Sequence, residues 1–369
     1  MRTTKNVVAA LGLSLPLVVA SVAGATGTPA PSGFSPVSVS FTSSSRGFVL
    51  GTSSCAHAPC TAILTTDNGG TSWSAVGTPP APLPNPAASP SASSVNAIAF
   101  ANPSDGWVFG PALWATSDGG ASWHREKLGG PVTSVATAGG YVYAAVASCY
   151  TSSKCSPTVR LKRSPVAQNA WKAVPGISGS GTMALFATRG AAVWTAVWAK
   201  PDGPASIWAS PTGTSWRRFP DSCYKPSQAI GLAGMASPGA GLLFELCAGN
   251  PGAGQEGKSL RLSTNGGATS HLVSNLPLGG LAYGIAAANS MDVVVDAVSG
   301  ASFLYRSGNG GSTWGTKTLD DGGAGLYDLQ FTTSGLGAVV EGRPSLGASS
   351  DRLLITHDGG ATWSPSRLQ

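Results

Sequence analysis

The chain has 369 residues, only 10 % of them charged, with 50 glycines, 27 prolines and a formal net charge of +6. Charge this mild permits weak attraction to an anionic cell envelope and gives no footing for nucleic-acid binding. No stretch carries long helical periodicity, and short runs bounded by Gly, Ser, Asn, Asp and Pro occur throughout, which reads as all-β.

Arg2 and Lys5 precede an apolar run from about Val7 to Val22, closed by the small residues Ala23-Gly24-Ala25. That order predicts a secretory signal over residues 1–25, removed on export, with no stable membrane insertion afterwards. Loss of Arg2 and Lys5 takes the formal charge from +6 to +4. Six cysteines fit an exported chain. Several connectivities are open to them, and the expected one is local: Cys55–Cys60, Cys149–Cys155 and Cys223–Cys247, each within one repeat. The stretch CAHAPC offers Cys55, His57 and Cys60 but no fourth ligand, so no metal and no cofactor are expected.

Residues 26–369 read as one repeat architecture. Similar short stretches end at Trp73, Trp123, Trp171, Trp216, Ser270, Trp314 and Trp363. A period of roughly 40–50 residues marks stacked supersecondary units. The first unit (about residues 35–80) reads as strands VSVSF, RGFVLGT, TAILTT and SWSAVG, with DNGG turning between the third and fourth. The second (94–129) reads VNAIAF, GWVFG, ALWAT and SWHREKL around SDGG. Units at 131–175, 180–220 and 227–276 follow. Two of their turns are weaker copies. Val166 and Gln168 replace the acid and the glycine in one, and SPTGTSW is a residue short in the next, so both should differ in shape. The sixth unit (280–319) reads YGIAAA, DVVVDAV, SFLYRS and STWGTKTL; the seventh (325–369) reads YDLQF, GLGAVVEG, RLLITH and ATWSPSRL. Four short antiparallel strands per unit predict a seven-bladed β-propeller. The last unit supplies its own fourth strand, so no N-terminal strand is expected to complete it.

The turn before each fourth strand needs residues that tolerate positive φ, which Gly, Asn and Asp do. Asn68, Asp118, Asn265, Asn309 and Asp358 read as staples that accept backbone N–H groups within their own turn. Trp73, Trp123, Trp314 and Trp363 read as packing between neighbouring units. The pattern Ser/Thr-x-Asp-x-Gly-x-Thr-Trp resembles the Asp-box, or bacterial neuraminidase repeat, of sialidases, sortilin-type receptors, certain xyloglucanases and photosystem II assembly factors. SDGWVFG followed by TSDGGASW is most similar to the assembly-factor and sialidase-like propellers of bacteria. The resemblance covers nearly all of the mature chain. It implies the fold and leaves function open, because these families share a scaffold and little else.

Catalytic constellations are thin. Sialidases of this fold carry a Phe/Tyr-Arg-Ile-Pro motif ahead of the first box; here Arg46 is followed by Gly and Phe. A glycosidase needs two carboxylates facing one sugar. The chain has four glutamates, and its adjacent acids Asp320 and Asp321 sit in a Gly-rich connection. GAGQEGKS (residues 252–259) matches a phosphate-loop expression, yet strand and turn follow it where a helix is required, so it reads as a hairpin tip. His57, His124, His271 and His357 lie in different repeats, and Trp194, Trp198 and Trp208 read as core.

Binding in such a scaffold falls on loops. Connections between second and third strands share one face with the inter-unit segments, and the Gly-Gly turns lie opposite. The candidate ligand residues on the loop face are Asp202, Arg217, Asp221, Tyr224, Lys225, Glu256, Glu341 and Arg343. The expected function is a secreted, monomeric, non-catalytic binding scaffold for a protein or for an extracellular or cell-envelope polysaccharide. The alternative is a divergent sialidase-like glycoside hydrolase or lyase, which carboxylates converging at the channel mouth would favour.

Overall fold

The computed structural model describes residues 28–55, 60–84, 91–149, 155–200, 203–319, 324–342 and 351–368. The expected secretory signal, Asp202, Asp320, Asp321 and Arg343 lie outside these residues. Apart from one 3-10 turn at Pro226–Gln228, every element is a strand. The first sheet holds β1 (Thr28–Pro29), β2 (Ser35–Phe41), β3 (Gly47–Ser53), β4 (Cys60–Thr66) and β5 (Ser74–Val76). The second holds β6 (Ala97–Phe100), β7 (Gly106–Phe109), β8 (Leu113–Thr116) and β9 (His124–Glu126). The third runs through β10 (Val132–Ala138), β11 (Tyr141–Ala147), β12 (Thr158–Pro165), β13 (Lys172–Arg189), β14 (Ala192–Trp198), β15 (Ala205–Ser210) and β16 (Arg217–Pro220). The fourth holds β17 (Ile230–Gly239), β18 (Leu242–Gly252), β19 (Gln255–Ser263) and β20 (His271–Asn275). The fifth holds β21 (Leu281–Ala287), β22 (Val293–Val298), β23 (Ser302–Ser307) and β24 (Gly315–Leu319). The sixth holds β25 (Leu326–Phe331), β26 (Gly337–Glu341), β27 (Arg352–Thr356) and β28 (Ser364–Pro365).

The described sheets therefore number six. The third has seven strands because β13 serves two partners in succession. Residues 172–180 pair with β12, and residues 180–189 pair with β14. Elsewhere a loop separates one four-stranded group from the next. Here the extended chain passes from the outer edge of one group to the inner edge of another without leaving the β conformation.

A twisted sheet of this kind is apolar on both faces and cannot cover either by itself. Burial runs accordingly: β3, β22 and β26 are buried almost throughout, while the fourth strands β9, β20 and β24 are open to solvent. The core is divided into seven clusters among the described residues, each between consecutive strand groups. Phe48 on β3 stacks on Phe100 of β6, joining the first and second sheets. The cluster holding Val39, Phe41, Val49 and Leu64 also holds Leu336, Val340, Leu353, Ile355 and Leu368, so the last sheet packs on the first. Each such Leu or Phe contributes about 1.5–3 kcal/mol on burial. The circuit closes by side-chain packing, and every strand of the last sheet comes from the C-terminal segment; β1 instead adds to the outer edge of the first sheet beside β5.

Five turns share one hydrogen-bond plan. In the second sheet the Thr116 hydroxyl accepts the Gly120 N–H (3.0 Å) and donates to Asp118 Oδ1 (2.8 Å), which accepts the Ser122 N–H (2.9 Å). Thr66/Asn68, Ser263/Asn265, Ser307/Asn309 and Thr356/Asp358 repeat the plan. The second glycine of each turn is left-handed and lies against the preceding sheet. A Cβ on Gly70 (φ 89°) would sit 2.2 Å from Ile355 of the last sheet. The following Trp packs into the same interface: Trp73 on the last sheet, Trp123 on the first, Trp314 on the fourth, Trp363 on the fifth. The turn at 164–170 differs. Its left-handed residues are Ala167, in place of the first glycine, and Asn169, and the Ser164 hydroxyl accepts from the Ala170 N–H. The disulfides are Cys55–Cys60, Cys149–Cys155 and Cys223–Cys247, as befits folding in an oxidising compartment.

Thr116→Ala removes a buried hydroxyl with three turn contacts. Its expected cost is about 1–2 kcal/mol, in line with the loss of a capping side chain. A denaturation midpoint within experimental error of the parent would contradict the role given to this hydroxyl.

Candidate functional site

The two ends of the molecule are built differently. Each Gly-Gly turn bonds back to the hairpin between the first and second strands of its own sheet, as in Gly310 N–H to Met291 O (2.8 Å) and Gly69 N–H to Ser45 O (2.8 Å). Turns and first hairpins thus share one face. On the other face Lys258 ties the β18–β19 hairpin to the segment leading into the fifth sheet. Its Nζ donates to the carbonyls of Glu256 (3.1 Å), Leu278 (2.9 Å), Gly279 (3.0 Å) and Gly280 (2.7 Å). Burial lowers the Lys258 pKa, and the charge of Glu256 opposes that shift. Residues 252–259 therefore form a hairpin whose lysine is engaged by carbonyls.

Between β13 of the third sheet and the first strands β17, β21 and β25 of the fourth to sixth sheets lies a cavity of about 250 Å³. The starts of β21 and β25 give it a loop-face end. Phe186 and Met235 line it with Tyr283, Asp296, Tyr327 and Asp328. The rings of Tyr283 and Tyr327 meet edge to face, 5.6 Å between centroids. Tyr283 is 53 % exposed, and Met183 and Leu281, on the strands that supply the walls, are exposed as well.

Asp328 belongs to the last sheet but is held by the first. Its Oδ2 accepts the Ser38 hydroxyl (2.6 Å) and the Val39 N–H (2.8 Å). Its backbone is left-handed (φ 60°), a conformation that side-chain-bearing residues adopt at a cost and that often marks functional positions. Protein surrounds the carboxyl while the cavity leaves it wet. Enclosure raises its pKa, and the bonds from Ser38 and Val39 pull it back.

Asp296 stands in the middle of the apolar strand β22 and is 2 % exposed. It lies directly across from Gly284, and its Oδ1 makes no hydrogen bond. A Cβ at position 284 would come within 2.7 Å of that oxygen, so glycine there makes the room the carboxyl occupies. Burial pushes the Asp296 carboxyl up to about 7, against the pull of its own N–H and that of Gly284. Two other acids are buried on second strands and are partnered. Glu245 accepts from Ser222 and from Ser270 (2.7 Å), and Glu341 pairs with Arg352 through Oε1 (2.7 Å), its Oε2 making no hydrogen bond.

The loop-face residues singled out from sequence are dispersed. Glu256 lines a separate open cleft of about 690 Å³ with Pro226, Gln228, Asn250, Gln255 and Leu278, and its Oε2 accepts from the Ala282 N–H. Tyr224 and Lys225 flank the 226–230 side of that cleft; Lys225 bridges to Ile230. Asp221 is engaged internally by the Ala205 and Cys223 N–H groups. Arg217 lies exposed on β16, opposite Ala209 and away from the loops. Glu341 is sealed in its ion pair. Asp296, Asp328 and Tyr283 were not singled out. The legible signal was a lone Asp, Asp296, within the apolar run VVVDAV. Among the described residues no group of three His, Cys, Asp or Glu side chains is placed to hold a metal ion, and no helix is long and apolar enough to cross a membrane.

Comparison with known proteins places the fold. No family model and no curated protein sequence matches the chain. Among solved structures it is similar to YCF48 bound to D1 peptide, at 18 % identity and TM-score 0.58, over 89 % of this chain and 95 % of that one. It is similar to YCF48 from Cyanidioschyzon merolae at 18 % identity and TM-score 0.57, over 91 % and 98 %. An ancestral GH74 enzyme aligns at 13 % identity and TM-score 0.55, over 93 % of this chain and 47 % of that one. At these identities the likeness is one of fold, the β-propeller of YCF48.

Asp296 also sets a pH dependence. Its folded pKa of about 7 exceeds the value of 3.8 expected in the unfolded chain. Between those values the folded state holds a proton that the unfolded state has released, so stability falls as pH rises from about 4 to 7. Asp358, lowered to about 2 although burial opposes the bonds from Thr362, acts the other way, and its contribution is lost in acid. Asp296→Asn is expected to gain about 1–3 kcal/mol at pH 8 and much less at pH 4, read by urea denaturation. An equal effect at both pH values would contradict the assignment.

Proposed function

We propose that the protein is a secreted, monomeric, seven-bladed β-propeller of the Asp-box type, in which β13 joins two blades. It acts as a non-catalytic scaffold that holds a segment of a partner protein at its loop face. The observation that carries this reading is the loop-face cavity between β13, β17, β21 and β25, with exposed Tyr283, Leu281 and Met183 beside buried Asp296 and solvent-accessible Asp328. An exposed aromatic beside a concave site of mixed polar and apolar lining on rigid strands is a feature of recognition surfaces. The solved structure of YCF48 bound to D1 peptide supports a peptide as ligand for this fold. The three disulfides and the apolar N-terminus support export, with residues 1–25 as its signal. Glu256, Tyr224 and Lys225 belong to the same face and extend the surface towards the open cleft.

A second reading has its own observation. Asp296 and Asp328 line one cavity, and both carboxyls are raised, as a hydrolase acid and base would require. Against it, Asp296 is sealed and one Asp328 oxygen is committed to Ser38 and Val39.

An array of extended peptides beside envelope and extracellular polysaccharides, probed with the purified chain and assayed for released products, separates these readings. Saturable peptide binding without release of product is expected. Polysaccharide binding alone would replace the partner class. Hydrolysis abolished by Asp328→Asn would replace the scaffold with an enzyme.

A further inference from the structure

We propose that the axial cavity is a receptor for one ammonium group on an aliphatic stem, the side chain of a lysine in the bound segment, with Asp328 as its direct contact. The inference rests on the peptide-binding reading above and names the anchor that reading leaves open.

The charge of the lining is one-sided. Among the described residues its only carboxyl, amino, guanidinium or imidazole side chains are the acids Asp296 and Asp328; no Lys, Arg or His contributes to the wall. Asp328 is pre-positioned. Ser38 and Val39 hold its Oδ2, and its Oδ1 takes no bond from any described residue. A single open oxygen suits the point charge of an ammonium better than the two-pronged fork of a guanidinium. Asp296 is the independent observation. A carboxyl oxygen with no hydrogen bond, on a side chain 2 % exposed, is costly to keep. It lies behind Gly284, close enough that a methyl group there would strike it, so the strand pair has been built around it. Among the described residues no side chain of opposite charge faces that oxygen in the cavity wall. A cation entering the cavity would favour the charged form of the carboxyl, because attraction between opposite charges strengthens as water is excluded.

The rest of the wall fits the same ligand. Tyr283, Tyr327 and Phe186 bring aromatic rings to the lining, a residue type that attracts cations. Met235 and Leu329 offer apolar contact to its methylene stem. A volume of about 250 Å³ admits one long side chain and leaves the main chain outside on the loop face.

Three methionines supply the test. Met235 lines the cavity, Met183 lies on the strand that supplies Phe186, and Met291 is on the turn face. Chain labelled with ¹³C in the methionine methyl groups is titrated with Nα-acetyl-lysine-N-methylamide and, separately, with the norleucine analogue, which has the stem without the ammonium. The expected result is a saturable shift of Met235 with the lysine probe, little shift with the norleucine probe, and no change at Met291. Asp328→Asn keeps an oxygen for Ser38 and Val39 and removes the charge. It is expected to weaken the lysine probe at least about tenfold, which is about 1.4 kcal/mol, while the Met291 signal reports an intact fold. Equal shifts with both probes would overturn the ammonium assignment and leave the peptide reading standing. If neither probe moves Met235 while the chain still captures peptides from the array, the anchor is elsewhere and the inference fails alone. If neither probe moves it and the array is blank, both fail.

Discussion

The structure depends on one constraint. A small antiparallel sheet with two apolar faces can be buried only by other sheets, so the series has to close on itself. Each cluster of buried side chains is shared between consecutive strand groups, and the final cluster joins the last sheet to the first. Closure falls on side chains and their hydrogen bonds: Trp73 to Ser366, Thr332 to the carbonyl of Phe41, Gln330 to that of Val39, and Asp328 to Ser38 and Val39. The acid given the central role in the cavity is therefore also part of the seam. Its strained backbone and fixed carboxylate follow from being gripped by the opposite end of the chain. This is how a fold built from local repeats acquires one position unlike the others.

The turns show the same constraint from the outside. Their Gly-Gly pairs let a neighbouring sheet approach closely, and the Trp that follows fills the interface so formed. The fifth copy has Ser270 where the others have Trp. There the indole comes from the other side of the interface: Trp194 of the third sheet donates to Gly266 O (2.8 Å). Ser270 is freed to hydrogen-bond Glu245, with Arg261 bonded to its carbonyl (2.7 Å) and Ser222 completing the network. The packing requirement is conserved within the molecule even where the residue that meets it has moved.

Much of the fold was legible because its signals are local. Alternating runs such as VSVSF and RLLITH, and turns rich in Gly, Asn and Asp, each report on a few adjacent residues, and the strands at Ser35–Phe41 and Arg352–Thr356 fall on them. The fusion at β13 was not legible. KAVPGISGSGTMALFATR contains a proline and three glycines, which ordinarily break strands, and only pairing on both sides keeps it extended. The cavity was least legible of all. Which strand edge faces the axis depends on how the sheets are arranged around it, so the loop residues drew the eye while Tyr283 and Asp328 read as ordinary strand positions. Asp296 alone carried a sequence signal, an acid within a valine run, and its meaning needed Gly284 across the sheet to emerge.

The account places recognition at the loop-face ends of β21 and β25. Hydrogen–deuterium exchange of the chain with and without its tightest-binding peptide tests this directly. Protection should concentrate in residues 281–287 and 326–331, with the turns at 67–70, 308–311 and 358–360 unchanged. Protection confined to those turns, or to the cleft at 226–230 and 249–257, would contradict it.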